Sequence, residues 1–189
     1  MSANLIPALF LDRDGVINVD KNYVCKSEDF EFIEGIFDLC RKASEAGMAI
    51  VVVTNQAGIA RGYYSERQFN NLSDWMCSQF LSYGVKIDAV YFCPFHPDHG
   101  IGPYKIESFD RKPSPGMILR AEKDLGLDLA RSALVGDRLS DIAAAKAAGI
   151  RHSIYLSKVE GKSACKPDIR LSSLREVTDY LFPDQCVRY

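Results

Sequence analysis

The stretch Ala8 to Asn18, ALFLDRDGVIN, indicates both the fold and the site. Its first four residues are apolar, as in a strand buried on both faces of a parallel sheet, and the apolar run ends at Asp12. Side chains of an extended segment alternate, so Asp12 and Asp14 can share one side while Arg13 points away. Gly15 then allows a tight turn or a close approach to a ligand. The stretch therefore predicts chemistry where this first strand ends.

Two carboxylates this close together can have only a few chemical roles. They resist joint ionisation unless a cation lies between them or one of them keeps a proton. Asp12 and Asp14 therefore fit either a pair of metal ligands or a nucleophile beside a general acid. A solvated acidic turn after a strand is the alternative without a catalytic role.

Composition limits the class of protein. The chain has 189 residues, of which 47% are hydrophobic, and this favours a single domain spanning 1–189. A formal net charge of -2 gives no reason to expect nucleic acid or an anionic membrane as a partner. The N-terminal residues lack the features of a secretion signal, and six scattered cysteines without a CxxC pair fit reduced thiols. We expect a cytoplasmic protein, with a monomer as the default.

Apolar runs with strand character alternate with segments of helical periodicity along the whole chain. Strands are predicted at 8–11, 49–53, 89–93, 133–135, 153–156 and 169–171, and helices at 35–46, 65–83, 115–125, 141–148 and 174–181. Residues 57–64 are predicted to be a loop. This alternation predicts an α/β protein with a doubly wound, mainly parallel sheet and helices on both faces.

Such sheets bind ligands at the carboxyl ends of their strands. Polar residues follow three of the predicted strands: Asp12 and Asp14; Thr54, Asn55 and Gln56; and Asp137. Carboxylates are ligands that Mg²⁺ prefers, and Arg111 and Lys112 could offset their repulsion of an anionic substrate. The sequence therefore predicts one polar site at this edge of the sheet.

Four short motifs lie in a fixed order along the chain. They are DRDGV at 12–16, Thr54, Lys112, and GDRLSD at 136–141. In this respect the chain resembles the haloacid dehalogenase superfamily of phosphotransferases. The strings FLDRDGVIN, VVVTNQAGIARG, RKPSPGM and VGDRLSDIAAA are similar to the branch of heptose bisphosphate phosphatases, with histidinol-phosphate phosphatases next nearest. The similarity covers almost the whole chain.

The resemblance implies roles for the motif residues. Asp12 would be the nucleophile, and Asp14 the general acid and then the general base. Mg²⁺ would be held by the carboxylates of Asp12 and Asp137 and by the backbone carbonyl of Asp14. Thr54 and Asn55 would bind the phosphoryl group and Lys112 would neutralise its charge. Asp141 leaves two alternatives open, a metal contact through water or a helix cap.

The remaining predicted substrate contacts are Gln56, Arg111 and Arg138, together with Asp20, Asn22 and Tyr23 in the loop after the first strand. Relatives often insert a cap domain between the motifs, but the gaps here hold only core elements and loops. The resemblance therefore implies an open site with no cap domain. Two loops, at 19–30 and 94–110, would then supply specificity.

The zinc site of many heptose phosphatases is altered in this chain. The matching positions are Cys93, Phe95, Ser108 and Asp110, of which only the first can be a thiolate ligand. We therefore do not expect structural Zn²⁺. A rearranged set of Cys93, His96, His99 and Asp110 is the alternative.

The resemblance as a whole implies a Mg²⁺-dependent phosphomonoesterase acting on a small phosphorylated sugar. The expected reaction removes the C7 phosphate of heptose 1,7-bisphosphate, on the way to lipopolysaccharide or another surface glycan. A histidinol-phosphate or general sugar-phosphate phosphatase is the alternative within the same chemistry. A binding module that keeps only the fold is the alternative outside it.

Overall fold

The computed structural model describes residues 5–157 and 166–183. Six strands form one sheet: β1 Ala8–Leu11, β2 Ala49–Asn55, β3 Ala89–Cys93, β4 Ala133–Gly136, β5 His152–Leu156 and β6 Ile169–Leu171. Six α-helices accompany them: α1 Ile36–Glu45, α2 Ala57–Ala60, α3 Glu66–Ser82, α4 Gly116–Leu125, α5 Leu139–Ala148 and α6 Leu174–Leu181. Short 3-10 helices lie at Ser27–Asp29, Gly102–Tyr104 and Leu129–Arg131.

The sheet has the strand order β3-β2-β1-β4-β5-β6, and each pairing between these strands is parallel. In the centre, Phe10 of β1 is in register with Val51 of β2 on one side and with Leu134 of β4 on the other. The strand order reverses between β1 and β4, so the carboxyl ends of these strands flank the crevice in which such folds bind ligands. The predicted doubly wound parallel sheet is confirmed.

Alternate residues of the central strand pack into two separate cores. Leu9 and Leu11 lie with buried residues of α1, α3 and α6, whereas Ala8 and Phe10 lie with those of α4 and α5. All four side chains are fully buried, as expected for a strand covered by helices on both sides. The prediction of helices on both faces is confirmed.

Most predicted elements agree with the structure, and the main differences lie at the carboxyl edge of the sheet. At the opposite edge, strand β5 begins one residue before its predicted start, at His152. Strand β2 continues to Asn55 because its ladder with β3 extends through the pairs Thr54↔Phe92 and Asn55↔Cys93. The prediction of a loop is wrong for Ala57–Ala60, which form helix α2. Helix α5 begins at Leu139, two residues before the predicted start.

The connections around the carboxyl edge contain little regular structure. Residues 12–35 between β1 and α1 hold the 3-10 helix Ser27–Asp29, and residues 94–115 between β3 and α4 hold Gly102–Tyr104. Both connections therefore run as loops beside the crevice. The absence of a cap domain and the single domain spanning 1–189 stay predictions.

The cysteines that the structure describes are free thiols, and two lie in helices as predicted. Cys40 is buried in α1, whereas Cys77 in α3 is half-buried. Cys165 and Cys186 lie outside the described residues. Within residues 5–157 and 166–183, none of the helices has both the length and the apolar composition needed to cross a membrane.

Candidate active site

Asp12 lies at the carboxyl end of β1, where the crevice opens. Its backbone N–H donates to the carbonyl of Val135 at 3.1 Å, which keeps the residue beside the end of β4. Its Oδ1 accepts a hydrogen bond from the backbone N–H of Arg13 at 2.7 Å and lies 3.0 Å from Nζ of Lys112. The backbone of both strands and a buried cation therefore fix this carboxylate.

Lys112 is buried and reaches three oxygens. Its Nζ donates to the carbonyl of Val53 at 2.8 Å and lies 3.0 Å from Oδ1 of Asp12 and 2.7 Å from Oδ1 of Asp141. Burial alone would lower the pKa of this ammonium, but the two carboxylates outweigh it and raise the pKa above its ordinary value. Lys112 is therefore a fixed positive charge beside Asp12.

Three carboxylates converge where β1 and β4 end. Asp12, Asp137 and Asp141 each place an oxygen within 4.8 Å of the others. Burial, together with the neighbouring carboxylates, raises the pKa of Asp12 to about 6 and that of Asp137 to about 7. Oδ1 of Asp137 is buried and has no hydrogen-bond partner within the described residues. An unpartnered buried oxygen in such a cluster fits a hard divalent cation such as Mg²⁺.

Gly15 allows Asp137 to approach the DRDGV loop closely. It has a φ of +87°, and a Cβ at this position would lie 2.1 Å from Oδ2 of Asp137. Any larger residue would therefore be strained and would displace this carboxylate. The group that approaches Gly15 is the side chain of a candidate metal ligand, whereas the predicted close approach to a bound ligand stays a prediction.

Asp14 is held by donors that the sequence analysis did not connect with it. Both of its carboxylate oxygens lie 2.8 Å from Nη2 of Arg13, which also donates to the carbonyl of Val24 at 2.8 Å. Asn18 and Gln56 donate to the same carboxylate at 3.1 and 3.2 Å. Arg13 is only 1% exposed, so it is part of the site's framework and its guanidinium does not point away.

The motif-two residues form a connected hydrogen-bond network. Gln56 donates from Nε2 to Oγ1 of Thr54 at 2.9 Å and accepts a hydrogen bond from the hydroxyl of Tyr64. Asn55 uses both ends of its amide on the backbone of Lys112, accepting at 3.0 Å and donating at 3.0 Å. These contacts hold Lys112 in place, whereas the prediction that Asn55 binds a phosphoryl group stays untested.

One cavity of about 360 Å³ opens over this cluster. It is lined by all the predicted catalytic and substrate-binding residues: Asp12, Asp14, Asp20, Asn22, Tyr23, Thr54, Asn55, Gln56, Arg111, Lys112 and Arg138. Asp137 is in the acidic cluster but does not line the cavity. Besides Asp141, six further lining residues were not predicted as catalytic or substrate-binding residues: Ala57, Gly58, Arg61, Tyr64, His96 and Ser140.

At the rim, two of the predicted substrate contacts pair with each other. Nη2 of Arg138 lies 2.9 Å from Oδ2 of Asp20, whose Oδ1 accepts from the backbone N–H of Asn22 at 2.9 Å. Tyr23 is exposed, and its ring makes an edge contact with Tyr63 at 4.8 Å between centroids. The loop after β1 therefore reaches across the cavity mouth to the segment after α2.

Arg111 points its guanidinium toward the loop after β3. Its Nη1 donates to the carbonyl of Phe95 at 3.2 Å. Burial lowers the pKa of Arg111, and the positive charges of Arg138 and Arg61 lower it further. Three arginines therefore converge on the outer part of the cavity.

Asp141 links the fourth motif to Lys112. Its Oδ2 accepts a hydrogen bond from the backbone N–H of Arg138 at 2.9 Å, which is the helix-capping alternative. Its Oδ1 forms the ion pair with Lys112, and the residue also belongs to the acidic cluster. Asp141 therefore caps α5 from the third residue of the helix and not from its predicted start, and a metal contact through water stays open.

The positions that match the family's zinc ligands make other contacts. Sγ of Cys93 lies 3.9 Å from the carbonyl of Phe95, and burial raises the pKa of this thiol. Asp110 forms an ion pair with Arg120 at 2.7 Å. In the same loop, Nδ1 of His96 accepts from the backbone N–H groups of residues 98 and 99 at 3.2 Å each. The expectation of no structural zinc stays a prediction.

The fold and this site define a HAD-like hydrolase, and a HAD-hydrolase-like family model matches residues 109–177. D-glycero-alpha-D-manno-heptose-1,7-bisphosphate 7-phosphatase of Burkholderia mallei is 60% identical over 149 residues, 79% of each chain. D-glycero-beta-D-manno-heptose-1,7-bisphosphate 7-phosphatase of Vibrio cholerae is 46% identical over 178 residues, 93% of this chain and 96% of the relative.

Structural comparison agrees with the sequence relatives. The crystal structure of D,D-heptose 1,7-bisphosphate phosphatase from B. bronchiseptica, complexed with magnesium and phosphate, superposes with a TM-score of 0.78 and 29% identity. The match covers 93% of this chain and 98% of that one. The chain belongs to the family of heptose-1,7-bisphosphate 7-phosphatases.

Proposed function

We propose that this protein is a Mg²⁺-dependent phosphomonoesterase that removes the C7 phosphate of D-glycero-D-manno-heptose 1,7-bisphosphate through an aspartyl-phosphate on Asp12. The observation that carries the proposal is the cluster of Asp12, Asp137, Asp141 and Lys112 at the strand-order reversal, in which all but Asp137 are buried. The names of the relatives supply the substrate, since two of them are phosphatases of its α and β forms.

The acidic cluster supports Mg²⁺ as the cofactor. Asp12 and Asp137 would hold the ion by their carboxylates and Asp14 by its backbone carbonyl, whereas Lys112 already occupies Oδ1 of Asp141. When bound, the ion would polarise the phosphoryl oxygens and reduce their repulsion from these carboxylates. Burial, together with repulsion among the carboxylates, raises the pKa values of Asp12 and Asp137, and a bound divalent cation would favour their ionised forms.

Asp12 would be the nucleophile that attacks phosphorus. Its Oδ1 is fixed by Lys112 and by the N–H of Arg13, so Oδ2 is the oxygen that would form the bond. Lys112 stabilises the negative charge of the phosphoryl group during transfer, and Thr54 at the end of β2 offers a hydroxyl to the same group. The sugar oxygen at C7 leaves as the new bond to Asp12 forms.

Asp14 would donate the proton that the leaving sugar oxygen needs. Arg13, Asn18 and Gln56 hold its carboxyl group beside Asp12, while the residue remains partly exposed in the cavity. In the second step, Asp14 would take a proton from the attacking water, which breaks the phosphorus–oxygen bond of the aspartyl-phosphate. Phosphate is released and both aspartates return to their starting states.

The open cavity supports a small sugar phosphate as the substrate. Residues 12–35 and 94–115 border it as loops, so the proposed enzyme works without a cap domain, and we propose that 1–189 forms one phosphatase domain. The proposal includes a cytoplasmic monomer that needs neither nucleic acid nor a membrane and holds no structural zinc. Asp20, Asn22 and Tyr23 on one side and Arg111 and Arg138 on the other would contact the sugar and its second phosphate.

The experiment that tests the function is phosphate release by the purified protein in Mg²⁺. The substrates are both anomers of heptose 1,7-bisphosphate, histidinol phosphate and fructose 1,6-bisphosphate, compared by kcat/KM. We expect a preference of at least about tenfold, or about 1.4 kcal/mol, for a heptose bisphosphate. A preference for histidinol phosphate, or similar slow turnover of all four compounds, would leave a phosphatase but remove the heptose assignment.

A further inference from the structure

Some of the charged side chains that line the cavity form ion pairs and others do not. Among the lining carboxylates, Asp12 and Asp141 pair with Lys112, and Asp20 pairs with Arg138. The fourth, Asp14, pairs with Arg13, which does not line the cavity. Two lining cations are left over. In the part of the chain that the structure describes, neither Arg61 nor Arg111 forms an ion pair with a carboxylate. The outer part of the cavity therefore carries uncompensated positive charge.

Arg61 is held in position by its backbone and not by its guanidinium. It follows the last residue of α2, and its N–H donates to the carbonyl of Ala57 at 3.0 Å. The carbonyl of Ala60 accepts from the N–H of Ile101 at 2.9 Å, which ties this turn to the loop after β3. Nε of Arg61 is buried and has no hydrogen-bond partner within residues 5–157 and 166–183. The guanidinium therefore still has donors available for a ligand.

The positive charge of Arg61 reaches two other groups on the cavity wall. The pKa of His96 is lowered first by burial, and the charges of Arg111 and Arg61 lower it further. The pKa of Arg111 is lowered by burial and also by Arg138 and Arg61. Positively charged side chains this close together repel one another unless an anion binds between them. Guanidinium groups are well suited to binding the oxygens of a phosphate.

We propose that Arg61 is a specificity-determining residue that binds, together with Arg111, the second and non-reacting phosphate of a sugar bisphosphate. The inference rests on the proposed function, because it needs a substrate with one phosphate at Asp12 and another at the cavity mouth. Arg138 contributes less to this contact because Asp20 already neutralises it. Arg61 was not among the residues that the sequence motifs nominate.

The test compares two substrates that differ only in the second phosphate, heptose 1,7-bisphosphate and heptose 7-phosphate. Arg61→Gln removes the charge and Arg61→Lys keeps it, while Arg67→Gln removes an exposed arginine from α3 as a matched control. For Arg61→Gln we expect kcat/KM to fall at least about tenfold with the bisphosphate, mainly through KM, and less than about twofold with the monophosphate. Arg61→Lys should recover part of the loss, and Arg67→Gln should behave as wild type.

Activity with the monophosphate also reports whether each variant folds. An equal loss with both substrates would assign Arg61 a structural role and overturn the inference, as would an unchanged preference for the bisphosphate. If the wild type prefers the bisphosphate and Arg61→Gln keeps that preference, only the inference fails. If the wild type hydrolyses neither compound, the proposed function fails and the inference fails with it.

Discussion

Nζ of Lys112 and Oδ1 of Asp141 lie 2.7 Å apart in an ion pair whose side chains are each at most 2% exposed. The other oxygen of Asp141 accepts the backbone N–H of Arg138, so one carboxylate joins the third and fourth motifs. Lys112 reaches Asp12 from the same position. The charge beside the proposed nucleophile therefore depends on a residue that need not touch the substrate.

Asp141→Asn should destabilise the protein and lower its kcat. The amide carries no charge to pair with Lys112, which then keeps Asp12 as its counter-ion, and losing one hydrogen bond between charged groups costs about 1.5–3 kcal/mol. We expect a lower midpoint in thermal denaturation and a fall of kcat beyond about tenfold. Asp179→Asn changes an exposed carboxylate of α6 and serves as the control. A variant at position 141 with wild-type stability and kcat would contradict this account of the ion pair.

Asn55→Ala should lower kcat although its side chain need not contact the substrate. It removes two hydrogen bonds to the backbone of Lys112, each contributing about 1 kcal/mol, and frees the ammonium to shift away from Asp12. We expect kcat to fall about tenfold or more and Mg²⁺ affinity to change little. Steady-state kinetics over a Mg²⁺ titration measures both quantities. Asn71→Ala on the exposed face of α3 is the control, and equal kcat values for the two variants would contradict the positioning role.

Gly15→Ala should impair the metal site, whereas Gly47→Ala should not. Both glycines have positive φ, at +87° and +77°, so both substitutions carry a similar backbone cost of about 1 kcal/mol. At Gly15 the new Cβ would collide with Asp137, whereas at Gly47 no heavy atom of residues 5–157 and 166–183 lies within 4 Å of it beyond its chain neighbours. We expect Gly15→Ala to raise the Mg²⁺ concentration for half-maximal activity by about tenfold or more. Matching Mg²⁺ dependences in the two variants would show that Asp137 does not bind the ion.

The acidic cluster predicts a pH-dependent effect of Mg²⁺ on stability. Folding raises the pKa of Asp12 from 3.8 to about 6 and that of Asp137 from 3.8 to about 7. Between about pH 4 and 7 the folded state without metal therefore binds more protons than the unfolded state, so its stability falls as pH rises through this window. Since metal binding needs ionised carboxylates, the stabilisation by Mg²⁺ should grow over the same range.

Thermal denaturation in EDTA and in Mg²⁺, at intervals from pH 5 to pH 8, measures this effect. Asp137→Asn should reduce both the fall of the denaturation midpoint with pH in EDTA and the rise of the midpoint on adding Mg²⁺, because the asparagine side chain does not titrate. A Mg²⁺-induced shift of the midpoint that is constant over this range would contradict the assignment of the cluster as the metal site.

Arg13→Lys should slow reactions that need Asp14 as an acid and spare those that do not. Lysine cannot reproduce the bonds from one guanidinium to both oxygens of Asp14 and to the carbonyl of Val24. We expect kcat with a sugar phosphate to fall about tenfold to hundredfold. Turnover of p-nitrophenyl phosphate, whose leaving group needs no proton, should change less than about threefold. An equal loss with both substrates would indicate general misfolding of the site.

Sequence patterns predicted much of the fold because its strands are short, apolar and buried. The structure has β1, β3, β6 and α6 at the predicted residues, since their apolar runs end at clear polar or glycine boundaries. The polar end of β2 was missed because Thr54 interrupts the apolar run and Asn55 is a residue type depleted in strands, although both pair with β3. The short helix α2 was missed for a similar reason, since its glycine resembles a loop signal.

The motif residues were also brought together as predicted, because parallel strands deliver their carboxyl ends to one edge. The side-chain contacts of these residues were harder to predict from the sequence. The contact of Arg13 with Asp14 depends on the conformation of the arginine side chain, which the sequence does not indicate. The Arg138–Asp20 ion pair joins residues that are far apart in the chain. Arg61 follows a glycine-containing segment without a motif of its own, and only the packing of α2 places it on the cavity wall.

Chemical trapping of the reaction intermediate would show whether Asp12 is the nucleophile. Wild-type protein mixed with heptose 1,7-bisphosphate in Mg²⁺ is quenched during turnover, treated with borohydride, digested and analysed by mass spectrometry. Borohydride reduces an acyl phosphate, so the account predicts homoserine at position 12, only with substrate and not in Asp12→Asn. Turnover without this product at position 12, or the product at Asp14 or Asp141 instead, would contradict Asp12 as the nucleophile.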